Sequence, residues 1–295
     1  MKKKISTKIK KILWATDFSK ESKACLPYIK FFSEKLKTKN HALYILPKFS
    51  DWVYEAAFFS SDDLVGEIEK TKQKSMKKII NYSIKIGVSL KTKILEGIAS
   101  EEIIKYSNEN DVDLVFAGRR GISEIEQILI GSTTSRLVRN SDTPIFVVPK
   151  SKREVKIEKI LSPVDFNELS LPELKYSIAI AKQMNAKVYV AHVSEFFNYR
   201  VPVLKRDKLV EKINIKILEI AKQNNYNIEN IIYDMGEPAQ KIIEISKKNK
   251  IDLIVMASNQ RKGFEKFFLG SITEKVIMYS NTPILVLPLS DNVLS

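Results

Sequence analysis

Three glycines and a serine have the spacing of a loop that can hold phosphate groups. They are Gly118, Gly121, Gly131 and Ser132, in the stretch GRRGISEIEQILIGST, and the chain of 295 residues has only nine glycines. Glycine lets backbone N–H groups approach a ligand without a Cβ in the way. A helix that begins at Ser132 would present unpaired N–H groups to an anion. The spacing favours a phosphate-binding loop with Ser132 as the N-cap; the alternative is a turn followed by a helix cap.

A carboxylate is expected on the opposite side of that loop. Asp17 ends the apolar run KILWATD, which is typical of a buried strand. In open parallel sheets, ligands bind at the carboxyl ends of the strands, where the strand order reverses. The Asp17 side chain would then face the glycine loop, within reach of a ribose, a base edge or a metal ion on the phosphates. It could also be the N-cap of the first helix, and the two roles are compatible.

The chain contains a second version of the loop with a different composition. The window ASNQRKGFEKFFLGSI, residues 257–272, keeps the final Gly-Ser but has Ala257 and Gln260 where the first two glycines stand. The long side chain of Gln260 would fill space that a phosphate needs. One interpretation of this window is a second, degenerate nucleotide site, with Asp165, Gly270 and Ser271 as its candidate residues. A capped helix start explains the same Gly-Ser pair.

The other reactive side chains are interpreted as packing residues. His41 and His192 fall in the second strand of each repeat, and Cys25 lies on the apolar side of the first helix. The sequence contains neither G-x-x-x-x-G-K-[ST] nor G-x-G-x-x-G, and no His/Cys cluster with zinc-binding spacing. We therefore expect no catalytic residues, no protein-bound metal and no dedicated hydrolase.

The chain is an internal duplication. Residues 97–149 align without a gap on residues 236–288, and 17 of the 53 aligned positions are identical. The earlier stretches KKILWATDFS and EKILSPVDFN also correspond. The two copies are assigned to residues 1–150 and 151–295, and the charged stretch KSKREVKIE is the linker between them.

Each copy alternates strand and helix patterns, which indicates an α/β fold. In the first copy the predicted strands are KILWATD, HALYIL, VSLKTKIL, VDLVFAG and TPIFVVP. Helices are predicted over about 62–86, over 98–110 and from Ser132 onwards. The fourth strand is almost entirely apolar, so both of its faces are expected to be buried. These patterns predict a parallel sheet with helices on both faces.

Each copy resembles the universal stress protein domain, and the whole chain resembles a tandem universal stress protein. The resemblance rests on the Asp after strand one, on the G-x2-G-x9-G-S motif, and on the closing TPIFVVP and TPILVLP. It covers nearly the whole chain. It implies an open five-stranded parallel sheet of order 3-2-1-4-5 in each half. In the nucleotide-binding members of the family, ATP lies across the ends of strands one, two and four.

The resemblance also implies which residues would hold the nucleotide. Ala15 and Asp17 would lie near the adenosine, and Pro47 would border the adenine, where a proline has no backbone N–H to donate. The ribose and phosphates would contact Gly118, Gly121, Gly131, Ser132 and Thr133. Arg119 and Arg120 occupy variable positions of the motif, where they would add charge to the site or lie in solvent.

A protein of this family is expected to bind ATP, with Mg²⁺ on its phosphates, and to act in the stress response. It would work as a sensor or regulator that changes protein partners with the nucleotide. One alternative is a scaffold that binds no nucleotide. Another is a slow ATPase or a phosphotransfer protein.

Composition and edge strands suggest the remaining properties. The net charge of +14 comes from scattered lysines, which is typical of a solvated surface and not of a specific nucleic-acid site. The single cysteine, the absence of a signal-like segment and the absence of an apolar run near 18 residues favour a soluble cytoplasmic protein. The two closing strands are long and apolar, which predicts an intrachain pseudo-dimer with these strands adjacent, and a homodimer is also open.

Overall fold

Ten strands form the framework of the part of the chain that the structure describes. The structure is a computed structural model, and it describes residues 5–47, 63–120, 130–150, 154–164, 172–194, 203–258 and 271–288. The strands of the first half are β1 (Lys11–Ala15), β2 (Lys39–Leu46), β3 (Lys91–Glu96), β4 (Leu114–Gly118) and β5 (Ile145–Val148). Those of the second half are β6 (Lys159–Pro163), β7 (Lys187–Ser194), β8 (Asn230–Met235), β9 (Leu253–Ser258) and β10 (Ile284–Pro288).

All ten strands belong to one sheet with a palindromic order. The order is β3-β2-β1-β4-β5-β10-β9-β6-β7-β8. Each half therefore has the order 3-2-1-4-5 that the family resemblance implies, and the pairing inside each half is parallel. The halves meet where β5 pairs with β10 in antiparallel fashion, with Phe146 opposite Leu285. The predicted adjacency of the two closing strands is confirmed.

Helices cover both faces of this sheet. In the first half they are α1 (Lys20–Lys23), α2 (Leu26–Leu36), α3 (Asp63–Ile86), α4 (Ala99–Glu109) and α5 (Ser132–Asn140). In the second half they are α6 (Pro172–Met184), α7 (Val203–Gln223), α8 (Pro238–Lys248) and α9 (Ser271–Tyr279). None of the helices among the described residues is long and apolar enough to cross a membrane.

Two hydrophobic cores lie on opposite faces of the sheet. Because side chains alternate along a strand, Leu114 and Phe116 of β4 belong to the core under α2, and Val115 and Ala117 belong to the core under α4 and α5. All five residues of β4 are buried. The continuous apolar run of this strand is thus explained by burial on both faces.

The boundaries of two elements differ from the sequence interpretation. The third strand was expected from residue 88 but begins at Lys91. Gly87 follows the end of α3 with a φ of +66°, and the Val88 amide still donates to the carbonyl oxygen of Ser83 in the helix, so Val88 belongs to the helix end and not to the strand. The first helix is interrupted before Leu26. Pro27 lies at the start of α2, where its missing N–H costs no helical hydrogen bond. Cys25 is therefore the N-cap of α2 and is fully buried, as expected for a core thiol.

Candidate nucleotide site

A cavity of about 220 Å³ lies at the carboxyl ends of β1, β2 and β4, between the sheet and helices α4 and α5. This is the crevice that strand order predicts as the binding position in an open parallel sheet. The residues that line it are Ala15, Thr16, Asp17, Ser22, Leu43, Ile45, Ala99, Ile103, Ala117, Gly118, Arg120, Gly131, Ser132, Thr133, Thr134 and Leu137.

The first turn of α5 forms the polar end of the cavity. The helix begins at Ser132, as predicted, but its N-cap is Gly131 and no side chain caps it. The assignment of Ser132 as the N-cap was therefore wrong by one residue. Ser132 and Thr133 occupy the first helical positions and line the cavity. The first N–H groups of a helix have no partner within the helix and lie at its positive end, so this turn can receive an anion.

Hydrogen bonds fix the position of α5 against β4. The Thr134 hydroxyl donates to the carbonyl oxygen of Gly118 at 2.7 Å, and the Gly131 amide donates to the carbonyl oxygen of Arg119 at 2.9 Å. These bonds join the last residues of β4 to the start of the helix. The described residues on either side of the segment 121–129, which lies outside the described residues, are therefore held together.

The Asp17 carboxylate stabilises a turn beside the cavity and does not cap a helix. Its Oδ1 atom accepts a hydrogen bond from the Ser19 amide at 2.9 Å. Ser19 is the N-cap of α1, because its hydroxyl accepts from the Ser22 amide at 3.0 Å. The alternative of Asp17 as the N-cap was thus wrong, whereas its position at the end of the first strand was correct. Asp17 lines the cavity together with Ala15.

The sequence analysis did not predict two hydroxyl groups that line the cavity together with Asp17. The Thr16 and Ser22 oxygens lie 3.2 Å apart, and both residues line the cavity. The Thr16 hydroxyl also accepts a hydrogen bond from the Phe18 amide at 3.0 Å. Thr16 directly follows β1, so the rule that ligands bind at strand ends could have identified it.

An apolar wall completes the cavity. Leu43 and Ile45 project from β2, and Ala99 and Ile103 project from the first turns of α4. Residues two apart on a strand share a face, so the β2 pair could have been inferred from the pattern HALYIL. The contribution of α4 depends on tertiary packing and has no signal in the sequence alone.

Packing against α1 explains why residue 118 is glycine, whereas the motif suggested that the glycine makes room for a phosphate. A Cβ atom on this residue would lie 2.6 Å from the carbonyl carbon of Glu21 and 2.7 Å from the amide nitrogen of Ser22. Real Cβ atoms do not make such short contacts with backbone. The glycine at this position therefore permits the close approach of α1, and the residue lines the cavity with its backbone.

Arg119 does not reach the cavity. Its Nη1 atom donates to the carbonyl oxygens of Met278 and Ser280, at 3.0 Å and 2.9 Å, at the end of α9 in the second half. The expectation that Arg119 adds charge to the nucleotide site is corrected for this reason. The neighbouring Arg120 lines the cavity instead.

The remaining candidates either do not line the cavity or lie outside the described residues. Pro47 follows β2, is exposed and does not line the cavity, so its predicted contact with adenine is not supported. Ser271 is the first residue of α9, as the capped-helix alternative suggests. Four residues named in the sequence analysis lie outside the described residues: Gly121, Asp165, Gln260 and Gly270.

The histidines and the cysteine are structural. His41 Nδ1 lies 2.9 Å from the Tyr106 hydroxyl, and burial lowers the pKa of this histidine. His192 Nδ1 lies 3.0 Å from the carbonyl oxygen of Val164. Burial raises the pKa of the Cys25 thiol, which makes it a poor nucleophile. None of these three side chains lines the cavity described above.

The comparison with known families decides the identity of the fold. The family model described as the universal stress protein family matches the chain twice, over residues 8–149 and residues 156–288. The chain belongs to the universal stress protein family. It is a tandem member, because each half matches the family separately and has the family's strand order.

Several individual universal stress proteins are similar to this chain. Universal stress protein MJ0531 of Methanocaldococcus jannaschii is 33% identical over 139 residues, which covers 44% of this chain and 81% of that protein. A second protein of the same organism, MJ0577, is 26% identical over 159 residues, or 50% of this chain and 98% of that protein. The crystal structure of a universal stress protein from Archaeoglobus fulgidus covers 98% of this chain and 99% of its own, with a TM-score of 0.68 and 20% identity. This last similarity supports the two-half fold.

Proposed function

We propose that the cavity of the first half binds ATP or a related adenine nucleotide. The observation that carries the proposal is the shape of the cavity, which joins an apolar wall to the positive end of α5. Small-molecule sites combine apolar walls with a few polar groups that fix orientation, and helix N-termini are suited to phosphate. Family membership supports the same assignment, since the resemblance implies nucleotide binding at these strand ends.

The nucleotide would be divided between the two ends of the cavity. The base would pack between β2 and α4, against Leu43, Ile45 and Ile103. Asp17 and Thr16 at the end of β1 would hold the ribose hydroxyls. The phosphates would lie at the first turn of α5.

Two features limit how the triphosphate would be held. The enclosed volume of about 220 Å³ is below the range of roughly 300–1,000 Å³ for typical small-molecule pockets. The nucleoside would therefore occupy the enclosed part, and the outer phosphates would extend towards Arg120. Among the described residues no group of three or more acidic, histidine or cysteine side chains could hold a metal ion by itself, so Mg²⁺ would be bound chiefly by the phosphates, and Asp17 is the carboxylate that lines the cavity.

One strong site per chain is proposed. The division at 1–150 and 151–295 places the intact motif in the first half and the degenerate motif in the second. Gln260 would place a long side chain where the first half has Gly121. The second-half candidates Asp165, Gly270 and Ser271 are therefore proposed to bind nucleotide weakly or not at all.

The proposed role is regulatory. We propose that nucleotide binding in the first half changes the stability or the protein partners of a stress-response protein, without a dedicated hydrolytic reaction. Affinity purification with and without ATP would test this role. An identical set of bound proteins in both conditions would contradict regulation through nucleotide-dependent partners.

Isothermal titration with ATP tests the site. Wild type is expected to bind one ATP tightly. Gly121→Gln should bind at least tenfold more weakly, which corresponds to about 1.4 kcal/mol, because the side chain would enter the phosphate space. The fold should survive, since the second half has glutamine at the equivalent position. Gln260→Gly is the reciprocal variant.

Each outcome of this titration separates the competing functions. Unchanged binding by Gly121→Gln would refute the assignment of the first loop to phosphate. Two equivalent ATP molecules per wild-type chain would refute the role of Gln260 as an obstruction. No binding at all would favour the scaffold, and production of ADP during a long incubation would favour a slow ATPase.

A further inference from the structure

Arg119 makes hydrogen bonds in three directions at the base of the glycine loop. Its amide donates to the carbonyl oxygen of Val148 on β5 at 2.9 Å, and its own carbonyl oxygen accepts from the Gly131 amide at 2.9 Å. Its guanidinium donates to the carbonyl oxygens of Met278 and Ser280 in the second half at 3.0 Å and 2.9 Å. One residue thus connects both ends of the first loop to the end of α9.

The contact of Arg119 with α9 is electrostatically favourable. The last carbonyl groups of a helix lack partners within the helix and form the negative end of its dipole. Met278 lies in the last turn of α9, and Ser280 directly follows the residue that ends it. A guanidinium placed there satisfies two carbonyl groups with one nitrogen. Charge-assisted hydrogen bonds of this kind are stronger than neutral ones.

Ser258, at the equivalent position of the second half, does not make the reciprocal contact. The residue equivalent to Arg119 is Ser258, whose hydroxyl is buried and has no hydrogen-bond partner among the described residues. A serine side chain is too short to cross to the other half. Arg119 therefore attaches the end of β4 to the second half, and Ser258 makes no equivalent attachment of β9 to the first half.

We propose that Arg119 is a positioning residue that sets nucleotide affinity in the first half by fixing the loop base to α9 of the second half. The inference rests on the proposed nucleotide site and adds a dependence on the other repeat. Arg119 itself does not touch the ligand. Its loss would leave the backbone hydrogen bond between residues 119 and 131 free to open and would misplace the first turn of α5.

The first measurement is nucleotide affinity in the full-length chain. Arg119→Ala should bind ATP about tenfold more weakly than wild type, which corresponds to about 1.4 kcal/mol. Arg119→Lys keeps a cation and three donors and should recover part of this loss. The matched control is Arg139→Ala. Arg139 also contacts the second half, through an ion pair with Glu274 at 3.5 Å, but it lies at the far end of α5, so its variant should bind within twofold of wild type.

The second measurement does not require a ligand. Hydrogen–deuterium exchange of the Gly131 amide should be at least tenfold faster in Arg119→Ala than in wild type, because the backbone carbonyl that accepts this amide would no longer be fixed by the guanidinium contacts to α9. The amide of Ser141, which donates to Leu137 at 2.9 Å at the other end of α5, should exchange at an unchanged rate. If Arg119→Ala does not fold, Arg119→Lys is measured against Arg139→Ala in the same way.

The two measurements distinguish the possible failures. Unchanged exchange at Gly131 would overturn the anchoring role whether or not ATP binds. Faster exchange with unchanged ATP affinity would overturn the positioning role and leave Arg119 a purely structural contact. If wild type binds no ATP, the proposed function and the effect of Arg119 on affinity both fail, and the exchange result still decides the anchor. Equal losses in Arg119→Ala and Arg139→Ala would refute a specific effect of the loop base.

Discussion

Gly118→Ala is expected to destabilise the protein in the absence of any ligand. The new Cβ would lie 2.6 Å from the carbonyl carbon and 2.8 Å from the carbonyl oxygen of Glu21, and 2.7 Å from the amide nitrogen of Ser22. Ordinary contacts begin at 3.4 Å, so α1 would have to move by about 0.8 Å. All three atoms belong to the backbone, and rotation of a side chain cannot relieve the overlap.

The surroundings of α1 resist this movement. The Trp14 indole donates to the Ser22 carbonyl at 2.9 Å, and Trp14 is completely buried. Overpacking of this kind costs about 1–3 kcal/mol. A loss near the middle of that range would lower the melting temperature by roughly 3 °C for a chain of 295 residues that unfolds as one unit.

Thermal unfolding without nucleotide is the appropriate assay, and Gly66→Ala is the matched control. Gly66 lies within α3 with no heavy atom within 4 Å of a built Cβ, so alanine there should stabilise the protein by about 0.5–1 kcal/mol. If Gly118→Ala melts with wild type, the packing explanation is refuted. If it melts with wild type and loses only ATP affinity, this glycine serves the ligand, as the motif alone suggests.

Two further predictions concern titratable side chains. Asp17→Asn keeps the oxygen that accepts from the Ser19 amide, so the free energy of unfolding should change by less than about 0.5 kcal/mol. ATP affinity should fall about fivefold, because a charged acceptor is lost. Calorimetry measures both quantities, and a large loss of stability would contradict the assigned geometry. Burial, and then Lys91 and Lys11, lower the pKa of His41 in the folded protein. The stability that neutral His41 contributes is therefore fully present above the unfolded-state pKa near 6.5 and is lost as the pH falls through the lower pKa of the folded state. His41→Gln should flatten this part of the pH–stability profile, and an equally steep profile would show that other groups cause it.

The sequence was sufficient to predict the strands, because strong local signals determine them, whereas the strand order followed from the family resemblance. Apolar runs such as VDLVFAG indicate burial on both faces, and the burial of all of β4 bears this out. The alternation of strands and helices restricts the sheet to parallel crossovers. Because the chain is an internal duplication, each strand and helix pattern occurs twice. The position of Asp17 followed from the same logic, since the end of a strand in an open sheet marks the ligand crevice.

The errors share one physical cause, which is that side-chain direction depends on tertiary contacts. Arg119 follows a motif glycine, but its side chain crosses to α9, where two carbonyl groups receive it. The Cβ direction of Gly118 points towards α1, on the face opposite to the α4 and α5 helices, because alternate residues of β4 face opposite sides. Alternation along a strand gives the face on which a residue lies, but it does not give the group that the side chain contacts there.

Comparison of the halves separates residues that maintain the fold from residues that distinguish the sites. Asp113 accepts hydrogen bonds from the amides of residues 10 and 11 at 2.8 Å, and its equivalent Asp252 accepts from the amides of residues 158 and 159 at 3.0 Å. The Thr134 hydroxyl bonds to the Gly118 carbonyl, and the equivalent Thr273 hydroxyl bonds to the Ala257 carbonyl at 3.1 Å. Identical residues in the two halves thus perform the same structural task.

The same argument applies to the Gly-Ser pair that both loops share. Since α9 begins at Ser271 as α5 begins at Ser132, the shared pair accounts for a helix start in both halves and cannot by itself indicate a ligand. A difference in ligand binding between the halves must come from positions that differ. Two such positions are Gly121 against Gln260 in the motif, and Arg119 against Ser258 after β4 and β9. Gly121→Gln and Arg119→Ala test these two differences separately, and if neither variant alters ATP affinity, neither of the two differences has a bearing on nucleotide binding.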